Sequence, residues 1–274
     1  MTGRSQVINV AKMRGNLRES TEDSVAIEEP LEIRLGYEYA GERRTRSVSI
    51  TMRTPGDDED LATGFLFTES IVRSPDDIAI IKPCDGDNTI RVELEDGVDV
   101  DLDRLQRHFY TSSSCGVCGK SSLDALRATG LESIPAIPAQ FSRDVLVATP
   151  GRLRAKQQTF TETGGLHAAA AFSSDGELLV VREDVGRHNA VDKVIGALFR
   201  AERLPARDLG LMVSGRASFE LMQKAAVAGM PLLAAVSAPS SLAVELAREF
   251  NVTLVGFLRG DTFNVYAGEE RIAE

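Results

Sequence analysis

Cysteine and histidine are scarce in this chain: 274 residues include three of each. Three cysteines are too few, and odd in number, for a disulfide framework, which points to a reducing compartment. A structural zinc site takes four ligands, normally from two C-x-x-C pairs or one pair plus spaced histidines. Here Cys115 and Cys118 form the single pair, Cys84 stands apart, and His108, His167 and His188 follow no ligand spacing. Long apolar runs are also missing. No window approaches the ~20 continuous apolar residues of a membrane span, and Met1 to Glu22 is polar and charged, unlike a signal peptide. Positive charge is in deficit: 31 Lys and Arg against 41 Asp and Glu give −10, which disfavours nonspecific contact with nucleic acid or an anionic membrane. The P-loop pattern G-x-x-x-x-G-K-[ST] is absent, as are internal repeats and low-complexity segments. The expectation is a cytoplasmic, reduced protein with no metal, no nucleic-acid partner and no membrane association.

What is present is ordinary globular composition, 43% hydrophobic and 26% charged, in a chain long enough for one large or two moderate domains. Residues 1–28 carry mixed charge with little periodicity and read as a flexible arm. Residues 29–110 read as a small α+β domain. In it Leu31, Ile33 and Leu35 alternate with polar partners, as do Val48, Ile50 and Met52, around a turn at Gly41 to Arg44. The next helix begins with Asp57, Asp58, Glu59 and Asp60, where the helix dipole favours negative charge. Capping of a solvated helix end is therefore preferred there over a metal site or docking patch. Ile90, Val92, Leu94 and then Val98, Val100, Leu102 flank Asp96-Gly97 as a second hairpin. Residues 111–121 read as a mobile loop. Residues 122–274 alternate short apolar strands with amphipathic helices, which predicts an α/β/α sandwich with a mixed sheet. Its helices are expected over Ser122 to Thr129, from Thr149-Pro150 to about Phe160, and from Arg187 to about Ala201. Its last strand pair is antiparallel, because Arg259-Gly260-Asp261 is too short for a crossover.

The loop carries the clearest chemistry. In Cys115-Gly116-Val117-Cys118-Gly119-Lys120 small residues leave both sulfurs accessible, and Lys120 with a following helix start favours the thiolate, the reactive form. Thiol chemistry at Cys115, with Cys118 as a second thiol, is preferred over zinc binding and over an idle pair. In Gly164-Gly165-Leu166-His167 a histidine opens a strand. Zinc-dependent base deaminases place a glutamate shortly after such a histidine and a P-C-x-x-C later. Ala169 occupies the glutamate's place and no cysteine follows His167, so deaminase chemistry is excluded even if the fold is related. His167 is read equally as a core histidine and as a pocket residue. The run Arg182 to Lys193 packs polar groups where a strand yields to a helix, and Arg187, His188 and Asn189 in its first turn can meet an anion. The alternative is capping by Asp184 with solvated neighbours. Ser214-Gly215-Arg216-Ala217-Ser218, Ser237 to Ser241 and Phe257 to Thr262 follow three further strands. Such polar, glycine-bearing strand ends are expected to converge on one pocket for a phosphorylated or nucleotide-like ligand, with arginine forks for phosphate oxygens.

Together, Cys115 to Lys120, Thr163 to Ala169, Arg182 to Lys193 and Gly256 to Tyr266 resemble the FdhD family of accessory sulfurtransferases required for active formate dehydrogenase. The resemblance implies an enzyme that takes sulfur from a cysteine desulfurase as a persulfide on Cys115. It then delivers that sulfur to the molybdenum cofactor, the bis(molybdopterin guanine dinucleotide) destined for formate dehydrogenase. It also implies cofactor binding at Phe257, Leu258, Arg259, Gly260, Asp261 and Thr262; the residues' own pattern adds His167, Arg187, His188 and Arg216 as candidates for the same pocket. The implied fold is a small N-terminal domain plus a cytidine-deaminase-like α/β/α domain, assembled as a homodimer. Two other classes stay open. One is an insertion chaperone that binds the cofactor without moving sulfur. The other is a zinc- or redox-linked dithiol enzyme.

Overall fold

The computed structural model describes residues 3–84, 88–100, 131–136 and 141–274. The Cys115–Cys118 pair and the helix expected over Ser122 to Thr129 lie outside the described residues.

The C-terminal half is the mixed α/β arrangement that its alternating pattern predicts. Its main sheet has six strands in the order β13-β12-β11-β10-β8-β9. These are β8 (His167–Phe172), β9 (Leu178–Asp184), β10 (Gly210–Val213), β11 (Leu232–Ala235), β12 (Thr253–Arg259) and β13 (Thr262–Ala267). β10, β11 and β12 run parallel, while β8, β9 and β13 run antiparallel to their neighbours. Successive strand residues point to opposite faces, and each face has its own core. Ala169, Ala171, Leu211, Val213, Leu233, Ala235 and Leu254 pack in one cluster with residues of three helices. These are α4 (Arg187–Arg200), α5 (Phe219–Val227) and α6 (Ser241–Glu249). Ala168, Ala170, Phe172, Met212, Leu232 and Ala234 point the other way, onto Leu146 and Leu153 of α2 (Arg143–Lys156). Helices therefore cover both faces. The expected antiparallel pairing of the last two strands is found.

The start of α2 differs from its expectation at Thr149-Pro150. Ser142 is the N-cap, its Oγ accepting from Val145 N at 3.2 Å, and Pro150 lies inside the helix. The cap alone does not offset an interior proline; burial of Leu146 and Leu153 on either side of Pro150 holds the helix through it. A short helix, α3 (Gln158–Thr163), follows.

The N-terminal half carries a four-stranded sheet in the order β4-β3-β6-β5: β3 (Glu29–Tyr39), β4 (Glu42–Arg53), β5 (Ile78–Pro83) and β6 (Thr89–Leu94). The β3–β4 hairpin is as predicted. The second hairpin is not: β6 pairs antiparallel with β5 and parallel with β3, and residues 95–100 are turn and irregular chain. The β-branched run at Ile78 to Ile81 takes the place expected for Val98 to Leu102. Leu31, Ile33, Leu35, Val48, Ile90 and Val92 form the core with Leu61 and Leu66 of α1 (Asp58–Thr68). The expected flexible arm is also corrected. Ser5–Arg14 (β1) and Leu17–Ala26 (β2) pair over ten positions as an antiparallel hairpin. Most of its residues are exposed on both faces, so no alternation of apolar and polar residues announces it.

The halves meet where α1 crosses α4. A Cβ on Gly64 would lie 1.9 Å from Asp192 O, and one on Gly196 would lie 1.8 Å from Asp60 O. Backbones this close tolerate only glycine. Phe199 of α4 enters the N-terminal core, so one helix serves both.

Candidate functional site

β8 runs opposite to β10, so its first residue, His167, stands at the C-terminal end of β10, beside the last residue of β9: His167 pairs with Asp184 and Ala169 with Val213. The chain segments leaving β9, β10, β11 and β12 leave from this same edge. Their connections are strapped side by side. Ser214 Oγ accepts from Ala168 N at 2.9 Å, Ser237 N donates to Gly215 O at 3.3 Å, and Phe257 N donates to Ser237 O at 3.2 Å. Ala217 bridges Pro239, and Ser240 N donates to Ala217 O at 3.0 Å. The predicted convergence of strand ends is thus a continuous ledge of backbone running from His167 to Phe257.

Gly215 faces the His167 ring: a Cβ there would sit 3.5 Å from Nδ1. Burial pushes the His167 pKa below 6.5, with Arg187 and His188 adding to the shift and Asp184 opposing it, so near neutral pH the ring is an uncharged donor–acceptor. Arg187 and His188 open α4 behind its N-cap Gly186. His188 Nε2 lies 3.8 Å from Glu220 Oε2, too far for a hydrogen bond. His188 first, and Ser218 less strongly, nevertheless hold the Glu220 pKa down to about 2 against the effect of burial. Arg187 Nε, His188 Nε2 and Ser218 Oγ are all buried without a hydrogen-bond partner.

The other end of the ledge is built differently. Between Gly256↔Asn264 and Arg259↔Thr262 the β12–β13 ladder shifts register, which leaves Phe257 and Leu258 opposite Phe263. Bulges of this kind re-aim side chains. Phe257 adopts a left-handed φ of 53° and is exposed, with the Arg259 guanidinium 5.6 Å from its ring centroid. Gly260 turns the hairpin at φ 61°. Arg143 Nη2 fixes the turn by donating to Asp261 O at 2.9 Å, and Thr262 Oγ1 donates to Arg259 O at 3.3 Å. Leu258 is fully buried in the core between the sheet and α2, so it anchors the segment and offers no side chain outward. Arg216 is exposed at the end of β10.

The run Arg182 to Lys193 divides cleanly. Asp184 and Lys193 are fully buried and ion-paired at 2.7 Å. Asp184 also accepts from Thr54 N, Gly186 N and Asn189 Nδ2. Asn189 donates to Met52 O and Lys193 to Thr54 O, while Asp192 bonds Lys224 and Thr68. Glu183 accepts from Thr159 N and Phe160 N. Asp184, Asn189, Asp192 and Lys193 fasten the two halves together, Glu183 ties down the start of α3, and Val185 to His188 between them are half-buried. Of the run's polar side chains, Arg187 and His188 are the two left for the ledge.

The acidic stretch at α1 is likewise not a solvated cap. Asp57 makes no side-chain cap bond. Arg53 bonds Asp58 at 3.0 Å, Arg182 bonds Asp60 at 2.7 Å, and Arg200 bonds Asp60 at 2.8 Å and also reaches Glu59. A shallow cleft of ≈ 730 Å³ lies over this clamp, but its charges already have partners.

Sequence reading missed Glu220 and the clamp. Glu220 could have been noticed as an acid in a first helical turn opposite a histidine; nothing in the sequence pairs Asp60 with Arg182 and Arg200.

Fold and ledge define an α/β protein in which arginines without an ion pair among the described residues collect along one end of the main sheet. The chain belongs to the FdhD/NarQ family, whose model matches residues 26–273. It is 49% identical over 276 residues to a "Sulfur carrier protein FdhD" of Nocardia farcinica, covering 99% of this chain and 95% of that protein. A protein of the same name from Sulfolobus acidocaldarius is 43% identical over 265 residues, covering 97% of each chain. A crystal structure described as a formate dehydrogenase accessory protein, from Desulfotalea psychrophila, superposes with a TM-score of 0.78 at 25% identity, covering 99% of this chain and 100% of that one. Among the described residues no helix is long and apolar enough to cross a membrane.

Proposed function

We propose that this protein is a sulfurtransferase that carries sulfur as a persulfide on Cys115 and delivers it to the bis(molybdopterin guanine dinucleotide) form of the molybdenum cofactor for formate dehydrogenase. The observation that carries the cofactor half of this reading is the ledge. On a chain of net charge −10, Arg187, Arg216 and Arg259 have no ion pair among the described residues, whereas Arg53, Arg182 and Arg200 of the clamp share five carboxylates, Glu29, Asp57, Asp58, Glu59 and Asp60. A ligand with several phosphates needs such unpartnered guanidinium groups. The bulge at Phe257 and Leu258 presents an exposed ring and Arg259 beside a backbone turn, a surface suited to a base and its phosphates. The residues present therefore fit the cofactor as a bound substrate. When bound, it supplies the metal that accepts the sulfur.

The family match includes the C-x-x-C pair, and the relatives' shared name supports the carrier half. In this reading the Cys115 thiolate attacks the outer sulfur of a donor persulfide on a cysteine desulfurase. A new S–S bond forms on Cys115, the donor's S–S bond breaks, and the donor cysteine leaves as thiolate. Cys118 serves as the second thiol. The α/β/α half is read as a relative of the cytidine-deaminase fold stripped of its metal chemistry, and the working form as a cytoplasmic homodimer.

Mass analysis after incubation with a cysteine desulfurase and cysteine tests this on wild type, Cys115→Ser and Cys118→Ser. One added sulfur that maps to Cys115 and is lost in Cys115→Ser is the expected result. No added sulfur on any chain, with cofactor still bound, would replace the carrier by an insertion chaperone.

A further inference from the structure

At the β8–β9 end of the ledge, Arg187 Nε, His188 Nε2 and Ser218 Oγ are buried and unpartnered. A buried polar atom left without a hydrogen bond is costly, and these three belong to two helices packed against each other. They come from two elements: Arg187 and His188 from the first turn of α4, Ser218 from the N-cap of α5. Ser218 makes no cap bond to its own helix; its hydroxyl instead faces the Glu220 carboxylate, whose pKa it helps to lower. Two carboxylates stand nearby. Asp184 is neutralised by Lys193 at 2.7 Å. Glu220 is 59% exposed and lies 3.8 Å from His188 Nε2, beyond hydrogen-bond reach; it is the anion that now faces His188 and Ser218, and being exposed it can swing to solvent when another anion enters. Arg187 and His188 follow β9 and Ser218 follows β10, four and two strands from β12, roughly 19 and 10 Å at ~4.8 Å per strand, so this cluster is not part of the Phe257 to Thr262 turn.

We propose that Arg187, His188 and Ser218 form a subsite for a phosphoryl oxyanion, spatially separate from the Phe257 to Thr262 segment. This rests on the cofactor reading above and deepens it: a dinucleotide ligand would be held at two places along the ledge. A guanidinium N–H, an imidazole nitrogen and a hydroxyl carried by two neighbouring helix starts suit the several oxygens of a tetrahedral anion, and the α4 N-terminus adds its own positive end.

The test is calorimetric titration of the full-length protein with inorganic phosphate, with pyrophosphate, and with guanosine, which has the nucleoside but no phosphoryl group. Phosphate and pyrophosphate are expected to bind wild type. Arg187→Gln and Ser218→Ala should each weaken them ~10-fold or more, the size of a lost charge-assisted hydrogen bond. Arg207→Gln, before β10 at the opposite end of the sheet, should bind as wild type does. Ser218→Ala removes one oxygen from a partly exposed residue and is expected to keep the wild-type melting temperature, which guards against a folding defect in Arg187→Gln. Absence of phosphate binding to wild type, equal binding by both edge variants, or guanosine binding with the same Arg187 dependence would each overturn the subsite. Sulfur loading on Cys115 is read separately by mass. Loading without Arg187-dependent phosphate binding sinks the subsite alone, and phosphate binding without loading sinks the carrier alone.

Discussion

The seam between the two halves and the ledge at the strand ends are made of the same residue types and treat them oppositely. At the seam every arginine meets an acid: Arg182 and Arg200 share Asp60, and Arg53 holds Asp58. The buried Asp184–Lys193 pair has hydrogen bonds on both sides. Along the ledge Arg187, Arg216 and Arg259 meet none among the described residues, and three polar atoms are buried with no partner. A charge whose partner lies within the chain contributes to folding. A charge left open on a strongly acidic protein is available for something that arrives from outside. The contrast separates stability from binding within a single twelve-residue run, Arg182 to Lys193.

The sharpest way to break the seam is Lys193→Met. It leaves Asp184 charged, buried and without its cation, a loss that typically costs about 3–5 kcal/mol, read by chemical denaturation. Adding Asp184→Asn should recover part of that loss, because both charges are then gone; no recovery would show that the pair is not the source of the effect. Gly196→Ala comes next. Its methyl would fall 1.8 Å from Asp60 O, so α1 and α4 must separate. Overpacking of this kind costs about 1–3 kcal/mol, reduced by up to about 1 kcal/mol from the better helix propensity of alanine. A melting temperature equal to wild type would mean that the helices cross more loosely than described.

The ledge was largely legible in the sequence because polar residues after short apolar strands mark strand C-termini, and parallel β10 to β12 bring such termini together. His167 was harder: it begins a strand, and only the antiparallel course of β8 carries it to that edge. The C-terminal helices and strands were legible for a similar reason, since each buries one stripe or two full faces. The β1–β2 hairpin was not, because residues such as Val7, Met13 and Leu17 are exposed and no core imposes a pattern on them. Asp96-Gly97 misled because a good turn dipeptide says nothing about which strand lies nearest in space. The role of Asp60 was hidden by distance: its partners lie 122 and 140 positions further along the chain. The same holds for Gly64 and Gly196, two glycines inside helices whose reason appears only when the helices cross.

The most direct test sets one arginine from each region side by side. Arg182→Gln and Arg259→Gln would be compared for melting temperature and for calorimetric binding of GDP, used as a fragment of the cofactor. The two-region account predicts that Arg182→Gln melts lower and binds GDP as wild type does. It predicts that Arg259→Gln melts as wild type does and binds GDP ~10-fold or more weakly, the scale of a charge-assisted hydrogen bond. Unchanged GDP affinity in Arg259→Gln, or a lowered affinity confined to Arg182→Gln, would contradict the assignment of the ledge to the ligand.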